Sequence, residues 1–193
     1  MLIPAFRFFL NRPILEGLVT VGKCKTDVSC FIVWQNSLVD GKHPCLTCAT
    51  SGGKVFIHNP HRTEESSEIR NLNINQSISG LTTGVLNPSN NKTLLLVGTQ
   101  TNLLAYDVEE NADIFYKEVP DGVQSIIVGM LGNNAPLCIV GGNCSIQGFD
   151  MEGNEVFWTV TGDNVSSLAL CDVNKVTFFS ATNMLTILSI GRK

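Results

Sequence analysis

The sequence predicts an all-β protein built from repeated four-stranded units, on the strength of three registers. Ala49–Asn59, Val97–Asp107 and Val140–Asp150 overlay without a gap, each a strand end, a small or polar turn, and a second strand stopping at Asn or Asp. Ile78–Asn87, Val123–Gly132 and Val165–Asn174 overlay likewise, at offsets of 45 and 42 residues. Asp113–Gly122 and Glu155–Asn164 form a third register, again 42 apart. For the middle copy this places strands near Ile78–Leu86, Thr93–Gly98, Leu103–Val108 and Ile114–Val119. Four strands in about 40–45 residues mark a β-propeller blade. A sandwich of evenly spaced hairpins explains strand length and turn residues, but not the return of the same residues at the same step.

A first blade is expected to open at Leu18–Gly22, preceded by a strand over Met1–Leu10 that Asn11-Arg12-Pro13 ends. Pro4 and Arg7 interrupt the apolar run of that N-terminal stretch, so it does not read as a signal peptide. Aligning Gly22 with Gly84 gives an offset of 62, so residues 23–40 read as an insertion. That insertion carries the apolar run Cys30–Trp34, either a packed extra strand or a segment foreign to the standard product. Pro60–Glu68 is a polar, acidic loop, and turns are expected at Gly52-Gly53, Gln100–Asn102 and Asn143-Cys144. Beyond Asp172 the repeat fades. The expected organisation is a partial propeller over 1–172, about three blades and the start of a fourth in an incomplete ring, followed by a divergent tail, 173–193, whose strand or helix character the sequence leaves open.

The chain has 193 residues, 44% of them hydrophobic, with a formal net charge of −4 and no basic stripe, which argues against nucleic-acid binding. No apolar run approaches the roughly 20 residues of a membrane helix. Seven scattered cysteines fit a reducing compartment better than a disulfide scaffold, and four Asn-x-Ser/Thr sequons read as chance matches.

Cys45 and Cys48 have the spacing of two zinc ligands, with Cys24 and Cys30 as an imaginable second pair, but residues three apart on a strand point to opposite faces, so buried thiols are expected. His43, His58 and His61, with Asp40, Asp107 or Asp150, compose a triad only on paper; His58 shares the column of Tyr106 and Phe149. Ser51–Lys54 and Gly141–Asn143 read as hairpin turns rather than phosphate loops, with glycines supplying positive φ. Asp172-Val-Asn174 lacks the later carboxylates of a calcium loop. No catalytic, cofactor or metal site is therefore expected.

The words His43–Leu46, Gly53–His61, Leu95–Val108, Gly141–Cys144, Phe157–Val165 and Ser167–Asp172 resemble the N-terminal propeller of the Bardet-Biedl syndrome protein 2 family across almost all of 43–172. The resemblance implies a non-enzymatic subunit of the BBSome, a cytosolic coat-like complex moving membrane proteins to and from the primary cilium. It implies as partners the other BBSome subunits, Bardet-Biedl syndrome proteins 7 and 9 above all, with peripheral membrane association through the complex. The family has a short link where residues 23–40 stand, and continues into further blades after 172; altered exon use or intron read-through accounts for both departures. An unclosed ring predicts a marginal, aggregation-prone isolated chain and a poor competitor for assembly. The alternatives are a generic propeller interaction module outside cilia and a zinc- or thiol-dependent protein using Cys45 and Cys48.

Overall fold

A computed structural model describes residues 14–21, 45–50, 52–58, 70–131, 135–173 and 176–179. The expected Met1–Leu10 strand, the insertion 23–40, the Pro60–Glu68 loop, and with them Cys24, Cys30, Asp40, His43 and His61, lie outside these residues. All regular structure among them is strand.

The first sheet holds β1 (Ile14–Val21), β2 (Leu46–Thr50), β3 (Lys54–His58) and β4 (Arg70–Asn73), antiparallel and in chain order. The second holds β5 (Ile78–Gly84), β6 (Leu94–Thr99), β7 (Asn102–Asp107) and β8 (Ala112–Glu118). The third holds β9 (Ser125–Met130), β10 (Pro136–Gly141), β11 (Ser145–Phe149) and β12 (Glu155–Val160). β13 (Leu170–Val173) and β14 (Val176–Phe179) pair as a two-stranded sheet. The opening strands β1, β5 and β9 stand side by side, while β4, β8 and β12 lie at the far edges. Successive four-stranded antiparallel meanders sharing an inner line of first strands make a β-propeller arrangement.

Each apolar face is buried against the next sheet, because strand side chains alternate. Leu95, Val97, Leu104 and Tyr106 pack with Ala49, Val55 and Ile57 of the first sheet. The opposite face of the same strands, Leu94, Leu96, Leu103 and Ala105, packs with Cys138, Val140 and Phe149 of the third. Leu137, Ile139 and Ile146 then join Val165 and Leu168, with Leu170 packed against them.

Two expectations need correction. The gapless overlay is off by one in β2. Four residues separate the paired Gly98 and Leu103, and likewise Gly141 and Ile146, but five separate Ala49 and Val55. The longer turn closes through Gly53 at φ +76°, and a one-residue shift exchanges the two faces of a strand. Ala49 is thus the counterpart of Gly98 and Gly141, not of Val97 and Val140.

Positive φ is not what the glycines of 141–143 supply: among Gly52, Gly53, Gly141, Gly142 and Asn143, Gly53 alone is in that region. Gly141 instead permits close approach, since a Cβ there would lie 2.2 Å from Val165 Cγ1. Within the stretch 173–193, whose strand or helix character the sequence leaves open, Val176–Phe179 is a strand, β14, paired with β13, which itself starts five residues after the aligned Val165.

Candidate functional site

The sequence-derived candidates do not converge. Cys45 and Cys48 are both buried; Cys45 sits in the core between the first and second sheets, and Cys48 stands in β2 opposite Phe56 of β3. Burial pushes the Cys48 thiol above its ordinary range, away from the thiolate that metal binding and nucleophilic attack require. His58 ends β3 opposite Leu46, on a different sheet from Asp107 and Asp150. Among the described residues no three His, Cys, Asp or Glu side chains group as a metal site, and no helix is long and apolar enough to cross a membrane. We expect the double substitution Cys45→Ser, Cys48→Ser to lower thermal stability without changing metal content. Stoichiometric zinc in the wild-type chain, lost in the variant by elemental analysis, would contradict this.

The aspartates that end the third strands organise turns. Asp107 is 1% exposed; its Oδ1 accepts the backbone N–H of Glu109 at 2.9 Å and of Glu110 at 3.1 Å, while Oδ2 meets Lys92 Nζ at 2.6 Å. Lys92 also reaches Glu110 at 2.6 Å, tying the β5–β6 link to the β7–β8 turn. Asp150 repeats the arrangement without a lysine, its Oδ1 accepting N–H groups of Glu152 and Asn154 at 2.9 and 2.8 Å. Partial desolvation raises the Asp150 pKa, but hydrogen bonds from Asn154, Glu152 and Gly153 outweigh it and hold the carboxyl below its ordinary range.

A second set of polar residues joins each sheet to the linker that precedes it. Gln76 Oε1 accepts from Thr99 Oγ1 at 2.9 Å and Asn102 Nδ2 at 3.1 Å, on the β6–β7 hairpin. One period later, Asp121 Oδ2 accepts from the Cys144 N–H at 2.8 Å and the Ser145 hydroxyl at 2.6 Å, on the β10–β11 hairpin. The backbone carbonyl of Asp121 also takes the Asn143 N–H at 2.9 Å, so the amides that gave this turn its resemblance to a phosphate loop already bind an internal acceptor. The sequence signal was present: Gln76 and Asp121 each lie two residues before an aligned apolar position, Ile78 and Val123, as does Asp163 before Val165.

What the described surface does offer is apolar. β12 exposes Val156, Trp158 and Val160, and β8 exposes Ile114 and Tyr116 at the positions 42 residues earlier. These are outward-facing residues of far-edge strands, suited to contact rather than chemistry.

Comparison with known proteins places the sequence. The family model described as "Ciliary BBSome complex subunit 2, N-terminal" matches residues 37–129. Residues 37–129 belong to this family. Beyond the family model, the chain is 52% identical over 185 residues to the BBSome complex member BBS2 of Danio rerio and 49% identical to that of Homo sapiens, in each case over 89% of this chain. BBSome complex member bbs-2 of Caenorhabditis elegans is 42% identical over 78 residues. The chain spans 24% of the length of the Danio and human relatives. Among solved structures, Saccharomyces cerevisiae Sqt1 matches with a TM-score of 0.60 at 14% identity, covering 79% of this chain and 42% of its own. Chaetomium thermophilum Raptor matches with a TM-score of 0.53 at 10% identity, covering 70% of this chain and 13% of its own. At such identities these two likenesses concern the fold alone.

Proposed function

We propose that the chain acts as a non-catalytic interaction subunit of the BBSome, in traffic of membrane proteins to and from the primary cilium and in ciliogenesis. The observation that carries this is the identity of about 50% to BBSome complex member BBS2 over 185 residues, a stretch long enough to include every described sheet. The structure supports a binding role in its own way: the polar groups of Gln76, Asp107, Asp121 and Asp150 serve turns and linkers, while apolar side chains face outward on β8 and β12. In this reading the partners are other BBSome subunits, Bardet-Biedl syndrome proteins 7 and 9 foremost, with membrane cargo reached indirectly. The places of action are the cytoplasm, basal body, centriolar satellites and ciliary membrane.

The test is to express the tagged chain in ciliated cells and recover it. Co-purification of Bardet-Biedl syndrome proteins 7 or 9, with signal at the ciliary base, is the expected result. Recovery of a folded, soluble chain free of every BBSome subunit would instead favour a propeller module working outside cilia.

A further inference from the structure

The charge of this chain is unevenly distributed. From Glu118 to Asn174 there are seven carboxylates and no Lys, Arg or His at all. The whole third sheet lies in this stretch, its own charged residues being Asp150, Glu152 and Glu155, with Asp121 in the linker before it.

Within that acidic sheet lies an apolar strip on an unpaired edge. β12 ends its sheet, with β11 on one side and no strand on the other among the described residues. Val156, Trp158 and Val160, alternate residues of one face, are 54%, 55% and 61% exposed. Edge strands are normally guarded by charge. β8 has Asp113, Lys117 and Glu118, whereas β12 has no charged residue after Glu155.

Trp158 and Val160 open onto a groove of about 440 Å³ that they share with Pro120, Asp121, Ser145 and Gln147. Gln147, 8% exposed, stands opposite Trp158 in the β11–β12 pair and forms the floor of the groove. The groove thus combines an aromatic platform, a carboxylate and a free strand edge.

We propose that β12 and this groove form a docking site for an extended segment of a partner protein in which basic and apolar side chains alternate. The segment pairs with the β12 edge. Its Arg or Lys groups stack on Trp158 and face Asp121, and its apolar groups cover Val156 and Val160. An acidic segment does not match a sheet whose own charged groups, Asp150, Glu152 and Glu155, are all negative. The site is a property of the third sheet and does not depend on which complex contains the chain.

The test uses the full chain and two fluorescein-labelled heptapeptides, one alternating Arg with Val and one alternating Glu with Val, read by anisotropy. The Arg peptide is expected to bind, to weaken at least tenfold in Trp158→Ala and in Val160→Lys, and to weaken further as salt rises. Both substitutions are at exposed positions, and circular dichroism checks that the fold is kept. Equal binding of the Glu peptide overturns the proposal, as does wild-type affinity in both variants. Self-association of the wild-type chain that Trp158→Ala abolishes also overturns it, by naming a second copy as the occupant.

Discussion

Replacing Gly98 by Ala is expected to destabilise the protein by about 3 kcal/mol, near the upper end of overpacking penalties. A Cβ at this position would lie 2.1 Å from Val123 Cγ1, 2.7 Å from Val123 Cβ and 3.0 Å from Ile126 Cδ1. The obstacle is the body of a β-branched side chain in the second core cluster, where neither sheet has room to retreat. Trimming the neighbour tests the cause: Val123→Ala alone opens a void, yet combined with Gly98→Ala it should cost less than the two changes added together, with a coupling of about 1 kcal/mol or more. Urea unfolding of the four chains measures this. A strictly additive cycle would mean that Gly98 is required for some reason other than its distance from Val123. The same relation recurs at Gly141 and Val165, where the Cβ would lie 2.2 Å from Val165 Cγ1.

The second large effect is expected at Asp107, where Asp107→Ala should cost about 2–3 kcal/mol, as for loss of hydrogen bonds to a charged group. One carboxylate serves two backbone N–H groups and the Lys92 ammonium, and at 1% exposure water does not replace it. Asp107→Asn keeps an acceptor for the turn and loses the charge, so it should be milder and less sensitive to salt. Hydrogen bonding to Asp107, then to Glu110, raises the Lys92 pKa above its ordinary value. A raised folded value means that the contribution of Lys92 is complete below its unfolded pKa of about 10.4 and fades as pH rises through the folded value. Wild-type stability should therefore decline at strongly alkaline pH more than that of Lys92→Met. Parallel curves for the two proteins would remove Lys92 from the account.

The repeat was legible because its small, aromatic and Asp columns return at a fixed step, and the middle sheet matches the expected strands to within two residues at every end. The extra residue in the β2–β3 turn was not legible. An overlay compares residue types, whereas the register follows from the positive φ of Gly53, which the sequence Ser51-Gly52-Gly53 permits without requiring. Beyond Asp172 the pattern disappeared because β13 is short and starts five residues after the aligned Val165, so the apolar positions fall at a different spacing. The candidate residues failed for a simpler reason: Cys45, His58, Asp107 and Asp150 have roles in a core, a strand end and two turns, and chemical type alone does not distinguish these from a site. The outward face of β12 was hidden too, since alternation in Glu155–Val160 shows that one face is buried but not which.

The three core clusters each straddle two sheets, and this bears on the order in which the molecule is made. The first sheet emerging from the ribosome has nothing against which to bury its apolar face, because Val55 and Ile57 pack with Leu95 and Val97, which lie about 40 residues downstream. The smallest unit able to hold itself together is therefore a pair of sheets. Synthesis of that interval takes seconds at about 5–20 residues per second. During that time the first sheet is a half-built structure, and it is the arrival of β6 and β7 that commits it to fold.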